Sequence, residues 1–179
     1  MGAFFAVSSA LFLHLRDDSM NRFLIDMLGY VYDVQQSWMA NWGQCGIRLR
    51  QVLEEHIPED IGLVQDRCFV SVTCLSTDYG RVVSRFQDSS DLIETVMASM
   101  FIPGWTDGFK KLFNIWRGHY TLDGGFSNHS PQPPKGSLRH YTVCSSLSWK
   151  HVFNPPSGNI QELLCEIESG AELVRKTMG

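Results

Sequence analysis

The stretch "RCFVSVTCLST", residues 67–77, constrains the fold more than any other part of the chain. Its side chains alternate as in an extended strand, yet both alternating sets are mostly apolar or small. Valine and threonine, which are frequent in this stretch, are β-branched and favour strands. A strand that is apolar on both sides is typical of a sheet with two covered faces. The stretch therefore predicts a buried β-strand.

Helical patterns precede this strand. Apolar residues at spacings of three and four predict a helix over about 20–38, and "GIRLRQVLEEHIP" predicts another that Pro58 ends. The apolar run 3–15 is too short to span a bilayer and predicts a buried helix. A signal-peptide core of the same length remains the alternative for this run, although no basic segment precedes it.

A second group of elements follows the strand. Asp91 and Glu94 have the spacing of a capping pair, which predicts that they open a helix ending before Pro103. Strand propensity predicts a hairpin that turns at Arg117-Gly118 and whose second strand ends at Asp123. The remaining predictions are a partner strand "RVVSRF", a later strand "LRHYTVCSS" and a closing amphipathic helix over 159–176.

Composition limits the class of protein. A chain of 179 residues with 44% hydrophobic and 19% charged residues predicts one globular domain, 1–179, of ordinary composition. The net charge of -4 excludes the basic surface that a nucleic-acid partner requires. Five cysteines are an odd number and form no C-x-x-C pair, so we expect reduced thiols in the cytoplasm rather than disulfides or zinc ligands.

Two segments in succession carry a family resemblance. "DLIETVMASMFIPGW", followed after a short gap by "YTLDGGFSNHSP", resembles the second half of the patatin-like phospholipase domain. The shared order is a helix ending in Ala-Ser, a proline bend and a strand ending in Asp-Gly-Gly. The strand pair and helix before them also resemble that family. The resemblance covers residues 2 to about 145 and leaves 146–179 as a C-terminal extension.

The resemblance implies a fold and an activity. The fold is a three-layer α/β/α arrangement with a mostly parallel sheet, incomplete at the N-terminus of this chain. The activity is hydrolysis of lipid acyl esters by a serine-aspartate dyad that uses no cofactor. Asp123 takes the place of the family's proton acceptor, and Gly124 and Gly125 let the backbone pass close to the nucleophile. A lipid ester is the expected substrate, with peripheral contact at a membrane or lipid droplet.

The chain departs from the family in its nucleophile. Neither a complete G-x-S-x-G turn nor a glycine-rich oxyanion loop is present. "MGAFFAVSSALFLHL" resembles the helix after that turn, with Gly2 at its last glycine, so the resemblance implies a serine upstream of Met1. Ser127 is a poor substitute, because Pro131 prevents the helix that such a turn must open. Ser8 and Ser9 fall inside the first predicted helix.

Three further questions stay open at this level. His119, Asp123 and His129 are metal-binding types, but alternation places only the first two on one face, so we expect no metal site. The aromatic stretch "FIPGWTDGFKKLFNIW" fits a membrane interface as well as a core or an acyl pocket. The chain is therefore either a lipid acyl hydrolase without its front end or a non-catalytic patatin-like module that binds lipid or a partner.

Overall fold

The computed structural model describes residues 43–76 and 79–128, together with Arg22, Asp26 and Gly29. The described residues form two α-helices, four β-strands and two short 3-10 helices over 108–110 and 124–126. The helices are α1 (Cys45–His56) and α2 (Ser89–Ser99). The strands are β1 (Val70–Cys74), β2 (Gly80–Val83), β3 (Asn114–Trp116) and β4 (His119–Asp123).

The four strands form one sheet in the order β2-β1-β4-β3, and each of its three pairings is antiparallel. Two hairpins, β1–β2 and β3–β4, meet through β1 and β4. Each hairpin connection is only a few residues long, and so short a connection can join only antiparallel strands. The predicted mixture of helix and strand is confirmed. The three-layer fold with a mostly parallel sheet is not confirmed by the residues that the structure describes.

Helix α1 packs through residues spaced four apart. Cys45, Leu49 and Leu53 are buried on one face, as expected for a helix of 3.6 residues per turn. The helix ends where the Ile57 amide donates to the Leu53 carbonyl at 2.9 Å, immediately before Pro58. The sequence-based prediction of this helix is confirmed, although its apolar residue Ile47 faces solvent.

Helix α2 begins before the predicted capping pair. Asp88 is the N-cap, and its carboxylate accepts from the Asp91 amide at 2.8 Å. The Asp91 carboxylate accepts in turn from the Gln87 amide at 2.9 Å. The prediction that Asp91 and Glu94 cap the helix is wrong, because Glu94 instead accepts from Arg50 of α1 at 2.6 Å.

The sheet has two faces, which we call inner and outer. We call the face that carries Trp116 the inner face. Asn114 lies on it because side chains alternate along β3, and Thr121 lies on it because directly paired residues of neighbouring strands share a face. The indole of Trp116 donates to the Thr95 hydroxyl of α2 at 2.9 Å, which shows that α2 packs on the inner face. On the outer face of β1, Ser71 and Thr73 are buried beneath the turn 124–128.

Several predicted elements lie outside the described residues. They are the helix over 3–15, the strand "LRHYTVCSS" and the closing helix over 159–176. Most of the helix predicted over 20–38 lies outside them too, although Arg22, Asp26 and Gly29 are helical. No helix in the part of the chain that is described is long and apolar enough to cross a membrane.

Candidate functional site

Asp123 lies at the end of β4, and its backbone is held from two sides. Its amide donates to the Phe101 carbonyl at 2.8 Å, and its carbonyl accepts from the Thr73 hydroxyl at 2.7 Å. It pairs with Val72 of β1 in the sheet. The carboxylate therefore projects from a backbone position that three separate segments determine.

The Asp123 side chain is itself oriented by the turn that follows. Its Oδ1 accepts from the Gly125 amide at 2.7 Å, so the aspartate caps the 3-10 helix over 124–126. This is the local hydrogen bond that aspartate forms with an amide two residues on. The carboxylate is half-buried at the boundary between sheet and solvent. It is held in one orientation, as a proton acceptor must be to meet its donor.

Gly124 is the point at which this turn touches β1. A methyl group at this position would lie 1.9 Å from the Ser71 carbonyl oxygen and 2.5 Å from its carbonyl carbon. The Ser71 hydroxyl donates to the Gly124 carbonyl at 3.3 Å across the same contact. Only glycine fits here, so the first glycine of Asp-Gly-Gly sets the distance between the site and the central strand.

Ser127 is tied into the same turn. Its Oγ lies 2.8 Å from Thr73 Oγ1, within hydrogen-bonding distance, and 3.4 Å from the Gly124 carbonyl oxygen. It also packs on Gly80 of β2, where a methyl group would lie 3.0 Å from Oγ. Ser127 thus makes the turn contacts expected of a structural serine. Ser8, Ser9 and Gly2 lie outside the described residues.

Thr73 is the residue of this site that sequence reasoning missed. One hydroxyl group connects β1 to the Asp123 carbonyl and to Ser127. A threonine within an apolar strand was the available signal, but it also fits ordinary strand propensity. Its role depends on a contact between residues about fifty positions apart.

His119 is held by two hydrogen bonds and is remote from Asp123. Its Nδ1 is 3.0 Å from the Ser76 hydroxyl, and its Nε2 is 3.4 Å from Arg81 Nη1. Because arginine can only donate, Nε2 accepts and Nδ1 carries the proton. His119 and Asp123 are four residue steps apart along β4, or about 13 Å, which is too far for a shared metal. His129 lies outside the described residues.

One other group of metal-binding types lies in the described part of the chain. Asp26, Glu55 and His56 each place one ligand atom within 4.8 Å of the others. The Asp26 carboxylate and His56 Nε2 are 2.8 Å apart, so a hydrogen bond already accounts for their proximity. The two carboxylates are exposed, and nothing else at this cluster indicates a ligand.

The aromatic stretch divides between the two interpretations of its sequence. Phe101 and Trp116 are buried, as the core interpretation predicts, whereas Phe113 is exposed.

Arg117 lies over the Trp116 ring at 4.7 Å and binds the Asp91 carboxylate. Burial by itself raises the pKa of Asp91, but the hydrogen bonds from Arg117 and from the Gln87 amide outweigh it and hold that pKa below its ordinary value.

An open cleft of about 400 Å³ lies between β2 and the β3–β4 turn. Three arginines line it, so its walls are polar and it does not form an apolar pocket for an acyl chain. Asp123 is not among its lining residues, which are Arg81, Val82, Val83, Ser84, Arg85, Trp116 and Arg117.

The described cysteines are buried thiols outside any disulfide. They are Cys45, Cys68 and Cys74. Burial raises the pKa of the Cys68 thiol to about 12, so it is neutral at physiological pH. A neutral thiol is a poor nucleophile. Cys68 is therefore no substitute for the serine that the resemblance requires.

Comparison with known proteins supports a patatin-like relationship. The chain is 36% identical over 90 residues to Patatin-like phospholipase domain-containing protein 4 of Homo sapiens. The match covers 50% of this chain and 34% of that protein, so the chain spans about a third of the relative's length. No protein-family model matches the chain, and no solved structure matches it.

Proposed function

We propose that the chain carries the proton acceptor of a patatin-like lipid acyl hydrolase, and that Asp123 is this group. The supporting observation is the way Asp123 is held: its backbone is fixed by Phe101 and Thr73, and its carboxylate by the Gly125 amide. Similarity over half of the chain to a patatin-like phospholipase supports the reaction class.

In the proposed reaction Asp123 acts twice. It first takes the proton of a serine hydroxyl as that oxygen attacks the ester carbonyl, and it returns the proton to the alcohol that leaves. It then takes a proton from the water that attacks the acyl-serine, and it returns this proton to the serine oxygen as the fatty acid is released. The base must be oriented in both steps, which the hydrogen bond from Gly125 would ensure.

We propose that the nucleophile is a serine outside the described residues. Ser127 is bonded within its turn to Thr73 and Gly124. The motif resemblance instead implies a serine upstream of Gly2, in a longer form of the protein. We propose a lipid acyl ester as the substrate and the cytoplasm as the location, where the buried thiols stay reduced.

The decisive experiment uses a longer form extended upstream through a G-x-S-x-G turn. Asp123→Asn keeps the shape of the side chain and removes its basicity, so we expect the rate of ester hydrolysis to fall by about a hundredfold or more. Asp60→Asn is a matched control, because the Asp60 carboxylate accepts from the Gly62 amide at 2.9 Å in the same local arrangement. The control should retain the wild-type rate.

Two results would overturn this assignment. One is an Asp123→Asn variant that hydrolyses acyl esters as fast as the Asp60→Asn control. The other is stoichiometric labelling of residues 1–179 alone by a fluorophosphonate at Ser127, Ser8 or Ser9. A folded longer form with no hydrolysis and no labelling would instead favour the non-catalytic module that binds lipid.

A further inference from the structure

The outer face of the sheet carries large apolar side chains in contact with solvent. Four of them form what we call the outer patch: Leu75 is 43% exposed, Phe113 44%, Ile115 65% and Tyr120 57%. Single exposed apolar residues are common on soluble proteins, whereas a contiguous group marks a surface that binds something.

The outer patch is contiguous across three neighbouring strands. Ile115 of β3 is paired directly with Tyr120 of β4. The Leu75 amide, just beyond β1, donates to the Tyr120 carbonyl at 2.9 Å. The rings of Phe113 and Tyr120 meet edge to face with centroids 6.0 Å apart. The four side chains therefore present one surface.

The strands beneath the outer patch are fixed from the other side. Trp116 and Thr121, which alternate with its residues along β3 and β4, are buried on the inner face. Trp116 is hydrogen-bonded to α2, and Arg117 in the hairpin turn binds Asp91. The outer patch is thus a preformed surface, which binds without the cost of ordering a loop.

Basic residues accompany the outer patch. Lys110 and Lys111 lie three and two residues before Phe113, and both are exposed. Lys111 lies 3.9 Å from Asp107, an exposed pair that contributes little binding energy. Residues 108–122 contain Lys110, Lys111 and Arg117 but no aspartate or glutamate, in a chain whose net charge is -4. Arg117 is paired with Asp91, so the positive charge that accompanies the outer patch comes from Lys110 and Lys111, just before the hairpin.

We propose that the outer patch, with Lys110 and Lys111, docks the protein on an anionic lipid bilayer. Apolar and aromatic side chains enter the boundary between head groups and acyl chains, while the lysines stay at the level of the anionic head groups. A bilayer fits both halves of this surface, because it offers apolar depth beneath a negatively charged plane. The acyl esters of such a bilayer are the substrate class of the proposed function, but docking itself requires no hydrolysis.

The test is vesicle flotation with the full chain of 179 residues, synthesised in a cell-free system with vesicles present. Flotation separates vesicle-bound protein, which rises through the gradient, from aggregates, which do not. Vesicles contain phosphatidylcholine alone or phosphatidylcholine with phosphatidylserine. We expect the chain to rise with the mixed vesicles, and high salt to weaken this binding.

Two variants test the two halves of the surface. Ile115→Ser combined with Tyr120→Ser should reduce the bound fraction on mixed vesicles at least tenfold. Lys110→Gln combined with Lys111→Gln should reduce the affinity roughly 25-fold on mixed vesicles and little on phosphatidylcholine, since each juxtamembrane lysine contributes about fivefold in affinity. Ile47→Ser on α1 is the matched apolar control, because Ile47 is 54% exposed and lies outside the outer patch.

The proposal is overturned if the wild-type chain stays at the bottom of both gradients, or if the serine double variant floats as well as the Ile47→Ser control. It is also overturned if two copies of the chain pair through the outer patch and the chain does not float with vesicles. Limited proteolysis of each variant reports whether its fold is retained. If the serine double variant is unfolded, the lysine variant and the salt dependence decide.

Discussion

Gly124→Ala tests whether the contact between the Asp-Gly-Gly turn and β1 is as close as the structure shows. The new methyl group would lie 1.9 Å from the Ser71 carbonyl oxygen, and real contacts of this kind are essentially never shorter than 3.0 Å. The turn and the strand must therefore separate by about 1 Å or more. Both partners are backbone, so no side-chain rotation relieves the contact.

The cost combines two effects. Overpacking a buried contact costs about 1–3 kcal/mol. A separation of this size also breaks the 2.7 Å bond between Thr73 and the Asp123 carbonyl, which adds about 1 kcal/mol. We therefore expect a loss of roughly 2–4 kcal/mol in the free energy of unfolding, a large part of the ~5–15 kcal/mol that stabilises a domain.

Proteolysis along a urea gradient measures this loss for the whole chain. With a typical slope of about 1–3 kcal/mol per molar urea, the midpoint should fall by roughly 1–2 M. Gly29→Ala is the matched control, since nothing lies within 4 Å of its added methyl group and its position is helical. Alanine favours a helix over glycine, so the control midpoint should stay constant or rise.

A double variant identifies the clashing atom. Ser71→Ala removes the hydroxyl but leaves the carbonyl that meets the methyl group, so it should not rescue Gly124→Ala. The reasoning would be refuted if Gly124→Ala unfolded at the wild-type midpoint, or if Ser71→Ala restored it.

The other predictions concern side chains in or beside the same sheet. Thr73→Val removes the hydroxyl that binds the Asp123 carbonyl, and we expect it to lower the free energy of unfolding by about 1–3 kcal/mol in the same urea assay. The pKa of Asp91 is lowered in the folded state, so its pairing with Arg117 contributes stability above the ordinary value of 3.8. That contribution is lost as pH falls further, and Arg117→Gln should flatten this dependence in acid titrations of the urea midpoint. Cys68, whose pKa is raised to about 12, should resist iodoacetamide at pH 8 until urea unfolds the chain, as mass spectrometry of its peptide would show.

Local signals in the sequence predicted individual elements well. The four-residue spacing of Leu49 and Leu53, followed by Pro58, predicted α1, and the apolar run around Val72 predicted β1. The turn at Arg117-Gly118 was predicted as well, and both residues have positive φ there. Each of these signals depends on residues within one element or one turn, so no distant contact is needed to interpret it.

Contacts between residues that are distant in the sequence could not be predicted from local sequence patterns. The pairing of β1 with β4 joins residues about fifty positions apart, and so does the contact of Gly124 with Ser71. The cap of α2 was misplaced because an acidic residue three positions after an aspartate occurs both at 88–91 and at 91–94. Apolar periodicity also cannot tell whether a face is covered: Ile47 is apolar within the predicted helix and faces solvent.

The outer face of β1 connects the two proposals. Along it, Ser71 and Thr73 are polar and covered by the turn that follows Asp123, whereas Leu75 is apolar and exposed in the outer patch. Tyr120 precedes Asp123 by three strand residues, or about 10 Å. A bilayer docked on the outer patch would thus lie on the side of the sheet that carries the turn 124–128, whereas Asp123 pairs with Val72 on the inner face. Different residues carry docking and proton transfer, so flotation and ester hydrolysis can fail separately, and either failure identifies the half of the argument that is wrong.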